Sequence, residues 1–125
     1  MNGESKTAVL SDDGAIVIGK KVCPPKEKMC WRLVDSGTHS GNAAEATKAA
    51  LKAYQQAFPA ARVAAENDAH AYVRGAHCDG DCADNGSMVL GPFQTTQEWE
   101  IDVHVQPNTA RTWCWVGYLG IVFCR

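Results

Sequence analysis

Eight residues near the C-terminal end, Trp99-Glu100-Ile101-Asp102-Val103-His104-Val105-Gln106, alternate without a break: apolar at every odd position, polar at every even one. A period of two marks a strand with one buried and one wet face. Pro107-Asn108 interrupts it with residues suited to a chain reversal. The return run, Trp113 to Cys124, is apolar at almost every position. It reads as a central strand covered on both sides. Gly117 and Gly120 are places where such a strand bends or admits another backbone. The predicted hairpin carries three of the four tryptophans and two of the six cysteines, so the fold must be arranged around it.

Upstream, Thr7–Leu10 and Ala15–Gly19 read as two short strands joined by Ser11-Asp12-Asp13-Gly14, since Asp-Gly favours a hairpin turn. Met1 to Lys6 reads as a frayed end. Val22–Met29 reads as a loop containing Pro24-Pro25, and Cys30–Asp35 as a third strand. Asn42 is placed to cap a helix, with Glu45 three residues on. Ala43, Ala46, Ala50, Ala53, Tyr54 and Ala57 form one stripe at helical spacing, with Glu45, Lys48, Lys52, Gln55 and Gln56 opposite. The predicted helix covers 42–58, and Pro59 ends it. Val63–Arg74 alternates and is predicted to be a strand. Gly75–Gly86 is a loop, and Ser87–Leu90 and Phe93–Gln97 are strand pieces split by Gly91-Pro92.

The order predicts an α+β fold over a single domain, residues 1–125. One antiparallel sheet carries one amphipathic helix (42–58) on one face, and disulfides stabilise the whole. The second face of the sheet is left for the acidic row, the basic end residues or a partner.

Six cysteines in 125 residues suggest a disulfide framework and an oxidising compartment. Cys23, Cys30, Cys78, Cys82, Cys114 and Cys124 are all candidates. Cys114 and Cys124 lie about 33 Å apart on an extended strand, far beyond the roughly 4.4–6.8 Å that a bridge allows. They should therefore pair elsewhere, with Cys23 and Cys30 as candidates, while Cys78 and Cys82 could close a small loop. Met1–Ser5 is polar with no apolar run behind it. The expectation is thus a secreted or periplasmic chain whose leader has been removed, or else a cytoplasmic one.

Charge limits the partners. The net charge is −2, but residues 66–102 hold eight acids against one base, Arg74. Nucleic acid is not expected, because phosphate binding needs a basic stripe. No apolar run reaches the roughly 20 residues of a membrane span. No cofactor is expected either. His77-Cys78-Asp79-Gly80-Asp81-Cys82 offers half of a zinc site and no second half. Read as a calcium loop from Asp81, it has Pro92 where an acid is needed.

Two short resemblances bear on function. Leu33-Val34-Asp35-Ser36-Gly37-Thr38 resembles the catalytic motif of aspartic proteases, which implies an Asp35 sharing a proton with a second carboxylate. That family continues into strands where a helix begins here, by Asn42. Trp31–Ala57, with Gly37-Thr38-His39-Ser40 leading into Glu45-Ala46, is similar to the strand–loop–helix opening of dodecins, flavin-storing shell proteins. That resemblance implies a flavin stacked on a tryptophan in the strand after the helix, whereas 63–74 contains none.

The leading expectation is a small disulfide-stabilised binding or assembly domain. It would be non-catalytic: a protein-interaction module, an inhibitor or immunity factor, or a structural subunit. Its partner is expected to be a protein or a second copy. The binding candidates are Trp99, Trp113 and Trp115, because aromatics dominate interfaces, with His70, His104, Glu100 and Asp102 as one acidic face of neighbouring strands. The competing expectations are a small hydrolase using Asp35 or the Ser36/His39 loop, and a metal- or flavin-binding module.

Overall fold

The computed structural model describes residues 22–125 and the backbone of Lys6–Leu10 and Ile16–Lys20. Its centre is β7 (Asn108–Cys124), seventeen residues long. On one side β7 pairs with β3 (Lys26–Asp35) and β4 (His39–Gly41). On the other it pairs with β5 (Asp84–Gln94) and β6 (Glu98–Asp102). All pairings are antiparallel, so the five-stranded sheet amounts to three rows with β7 as the spine. Residues 6–10 (β1) and 16–20 (β2) form a separate antiparallel pair. The turn expected at 11–14 and the frayed end expected at the N-terminus lie outside the described residues, apart from Lys6, which belongs to β1.

The fold is α+β, with one long helix on one face of the sheet. The helix, α1, covers Ala43–Gly75 and is roughly twice the expected length. Its start is the expected one, with the Asn42 side chain accepting from the Glu45 backbone N–H at 2.9 Å. Its end is not. Pro59 lies inside the helix, and Val63–Arg74 is helical rather than a strand.

The reason is tertiary. An interior proline costs about 3 kcal/mol, but the buried stripe continues through it in phase. Ala46, Ala50 and Tyr54 lead to Ala57 and Ala61, then to Ala65 and Ala69. The first alanines pack on Ala110. Tyr54 packs on Val34, Cys114 and Val116. Ala65 and Ala69 pack on Cys30 and Tyr118. A 33-residue helix is about 50 Å long, close to the roughly 56 Å of seventeen extended residues. The helix therefore tracks the whole spine. At Gly120 a β-carbon would sit 3.0 Å from the Ala69 carbonyl oxygen, so glycine lets the helix approach there.

Even-numbered residues of β7 face the helix and are buried, from Asn108 to Val122. The β5 pieces form one strand, with a register shift between Leu90 and Phe93 that takes up Gly91-Pro92. Gly91 has φ of +144°, and a β-carbon there would strike Tyr118 at 2.8 Å.

The disulfides are Cys23–Cys82 and Cys78–Cys124. Cys30 and Cys114 are free and buried, which corrects their candidacy for bridges, and Cys78 does not pair with Cys82. Register explains this. Cys30 lies opposite Tyr118 and Cys114 opposite Val34, so both thiols are core side chains under the helix. The two bridges instead tie the 76–83 connection to the lead into β3 and to the end of β7. The Lys26–Asp79 ion pair, at 2.7 Å, joins the same regions.

Candidate functional site

Odd-numbered residues of β3 and β7 project from the face that the helix does not cover. Residues paired across the ladder share a face, so the register identifies their neighbours. Met29 lies opposite Leu119, Trp31 opposite Gly117 and Leu33 opposite Trp115. From the other side Met88 meets Ile121, Leu90 meets Leu119 and Phe93 meets Gly117. With Trp113 and Phe123, this makes an apolar field three rows wide. An antiparallel sheet with one wet face normally alternates apolar and polar residues. Here β7 is apolar on both faces, as the sequence predicts, yet the helix covers only one.

Seven of these side chains, Trp31, Leu33, Met88, Leu90, Phe93, Trp115 and Phe123, are 38–44% exposed. Taking aromatic side chains at about 150–250 Å² each, the seven expose on the order of 500 Å² of apolar surface. That is near the upper end of the largest patch on a typical monomer, about 300–600 Å². The core shows the converse. Its largest fully buried side chains are Val34, Val116, Thr112 and Cys114, and none of the four tryptophans is buried. Apart from Tyr54 and Tyr118, the buried apolar core is made of alanine, valine and cysteine, while the tryptophans stand outside it.

The field has a centre and a border. Trp31, Thr95 and Trp115 line a shallow cleft of about 440 Å³. Thr95 holds the strand end: its Oγ1 accepts from the Trp115 N–H at 2.8 Å, and its own N–H donates to the Trp115 carbonyl at 2.9 Å. At the β6 end, the Arg111 guanidinium grips both oxygens of Asp35 and stands 4.7 Å from the centre of the Trp113 ring. Arg111 beside Asp35 holds that carboxyl below its usual range. Glu98, Glu100 and Asp102 share this end, opposite Trp113, Arg111 and Thr109.

Of the expected binding residues, Trp113, Trp115, Glu100 and Asp102 therefore lie on one face. Trp99 does not. It is opposite Thr112, on the helix side of β6 but beyond the helix, and is exposed together with Ile101, Val103 and Val105. The alternating run thus buries neither face, and β6 stops at Asp102. His70 is on the helix, 3.9 Å from Glu66, and His104 is in the bend after β6. The predicted acidic face of neighbouring strands is absent, because one of those strands is helix. Trp31, Leu33, Phe93 and Phe123 were not among the expected binding residues. Alternation along each strand puts Trp31 with Leu33 and sets the side that Phe123 takes, but only the register brings these and Phe93 onto one face.

The other constellations serve the fold. Asp35 Oδ1 accepts from the Gly37 N–H at 2.9 Å, where Gly37 has φ of +70°. The Ser36 hydroxyl donates to the Gly37 carbonyl at 2.6 Å and accepts from the Thr112 N–H at 2.9 Å. His39 Nε2 meets the Ser36 carbonyl oxygen at 2.7 Å rather than its hydroxyl. An ionised aspartate and an occupied serine make a turn that clamps β3 to β7. Cys78 and Cys82 are bridged and do not act as thiolate ligands. No group of three or more potential metal ligands occurs among the described residues, and no helix among them is long and apolar enough to cross a membrane. Comparison with family models, curated proteins and solved structures finds no match for this chain.

Proposed function

We propose that this chain is a binding or assembly domain that engages a protein through the open face of its sheet, without catalysis. The observation that carries the reading is the concentration of large apolar side chains on the sheet face opposite the helix. Alanines line most of the helix's buried stripe, while two tryptophans, two phenylalanines and three other large apolar side chains stand exposed on the face that the helix does not cover. Such a face is stabilised when a further layer covers it, and tryptophan is prominent among residues that dominate binding energy. Two bridges suit an oxidising compartment, which supports a reading in which the domain works outside the cell or in the periplasm.

The test replaces Trp115 with the photocrosslinker p-benzoylphenylalanine. A control replaces Gln55, an exposed residue of the helix. Both are irradiated in the native host. Protein adducts at position 115 and none at position 55 are expected. Equal labelling, or no adduct at 115, sinks the reading.

A further inference from the structure

We infer that the layer covering the open face is a second copy of this chain, packed sheet on sheet about a two-fold axis. The inference rests on the binding reading above and names the partner. Area is the first argument. A standard interface covers about 800 Å² per partner, with somewhat over half of it apolar. The roughly 500 Å² of exposed apolar surface is what one half of such an interface requires.

Dependence is the second argument. The buried apolar core of the single chain holds two tyrosines, Tyr54 and Tyr118, and otherwise only valine, alanine and cysteine, so few large apolar groups are buried. An obligate interface resembles a core cut in half, and its burial is part of the folding free energy. The partner present in equal amount whenever this chain folds is the chain itself.

Shape and charge are the third. Paired sheets pack face to face about 10 Å apart, interdigitating side chains. Between the Asp35–Arg111 pair and Glu27, the face-forming positions of β3, β7 and β5 carry no charge. The acids Glu98, Glu100 and Asp102 cluster at one end, with Glu27 at the other. A copy turned end for end keeps the two acidic clusters apart, and a two-fold axis across the strands does this. The cleft between Trp31 and Trp115 then receives side chains of the opposing sheet.

Sedimentation equilibrium of the oxidised full chain is the first measurement. The expected species is twice the 13.5 kDa of one chain. Trp115→Glu is expected to raise the dissociation constant at least about 30-fold, the scale of a lost hot spot. Lys48→Glu, on the outer helix surface, is expected to leave it unchanged. In case Trp115→Glu fails to fold, a second measurement leaves the sequence near native. Chain carrying p-benzoylphenylalanine at 115 is mixed with nitrogen-15-labelled unmodified chain and irradiated. Mixed-label adducts to β3, β5 or β7 of the other copy support the dimer. Adducts within one chain, including to residues 6–20, overturn it, as does a single chain throughout the micromolar range. A monomer that still labels a different protein through position 115 overturns the dimer and leaves the binding reading standing. A monomer that labels nothing removes both.

Discussion

The Trp31 ring lies against Gly117 on the neighbouring strand, so closely that a β-carbon there would sit 2.6 Å from Cε3 and 2.9 Å from Cδ2 and Cζ3. Glycine in a strand usually costs stability relative to alanine. Here the sign reverses, because alanine must push the indole out of its place. Gly117→Ala is expected to destabilise the protein by about 1–3 kcal/mol, as overpacking does. It should also shift tryptophan emission as Trp31 leaves the sheet. A chemical denaturation midpoint equal to or above the wild type would contradict this.

Beneath the helix, the Tyr54 hydroxyl and the Cys114 sulfur lie 2.9 Å apart, with Gln94 Nε2 3.4 Å from the same hydroxyl. Burial, followed by the Cys114 contact, pushes the Tyr54 phenol up to about 12. The folded chain therefore holds this proton more tightly than the unfolded chain, whose tyrosines titrate near 10. The resulting stability is complete below about pH 10 and is lost as pH rises towards 12. Phenolate absorbance should show a titration step near pH 12 for Tyr54. Tyr54→Phe should remove that step, cost about 0.5–1.5 kcal/mol at neutral pH and flatten the alkaline fall. An alkaline titration that Tyr54→Phe leaves unchanged would refute the assignment.

Two bridges and two buried thiols predict a distinctive chemistry. Reduction should add about 4 Da, two hydrogens per bridge, whereas three bridges would add about 6 Da. In the native state Cys30 and Cys114 should resist alkylation and react only on unfolding. The Cys78–Cys124 bridge spans 46 residues, for which chain entropy suggests about 4 kcal/mol, with measured losses commonly about 2–5 kcal/mol. Replacing both of these cysteines with serine should lower the denaturation free energy within that range. Rapid thiol labelling of the folded chain would refute the pairing.

The Arg111–Asp35 pair fixes behaviour in acid. Arg111 beside Asp35 depresses its carboxyl below the ordinary 3.8. Arg32, beside Asp68, has the same effect on that carboxyl. A depressed carboxyl stabilises the fold above its unfolded value, and that contribution disappears as pH falls through the folded one. Denaturation midpoints should thus be level down to about pH 4 and fall below it. Asp35→Asn keeps an acceptor for the Gly37 N–H but loses the charge pair. It should lower stability at neutral pH and make the acid fall shallower. An unchanged acid profile would show that the pair contributes nothing.

What could be read directly from the residues was whatever depends on near neighbours. The Asn42 cap follows from the spacing to Glu45, and the alanine stripe up to Ala57, the double-faced apolar run from Trp113 and the α+β class follow from hydrophobic patterning over short windows. Contacts across the chain decided the rest. Helix persists through Pro59 because Ala65 and Ala69 have Cys30 and Tyr118 to pack against, a gain invisible to local pattern. Cys30 and Cys114 stay reduced because strand register puts them under the helix, opposite Tyr118 and Val34. The open face exists because three strands align their odd or paired positions, and alignment between strands far apart in sequence is a tertiary property. Spacing along a chain specifies which side a residue takes; only packing specifies whether anything covers that side.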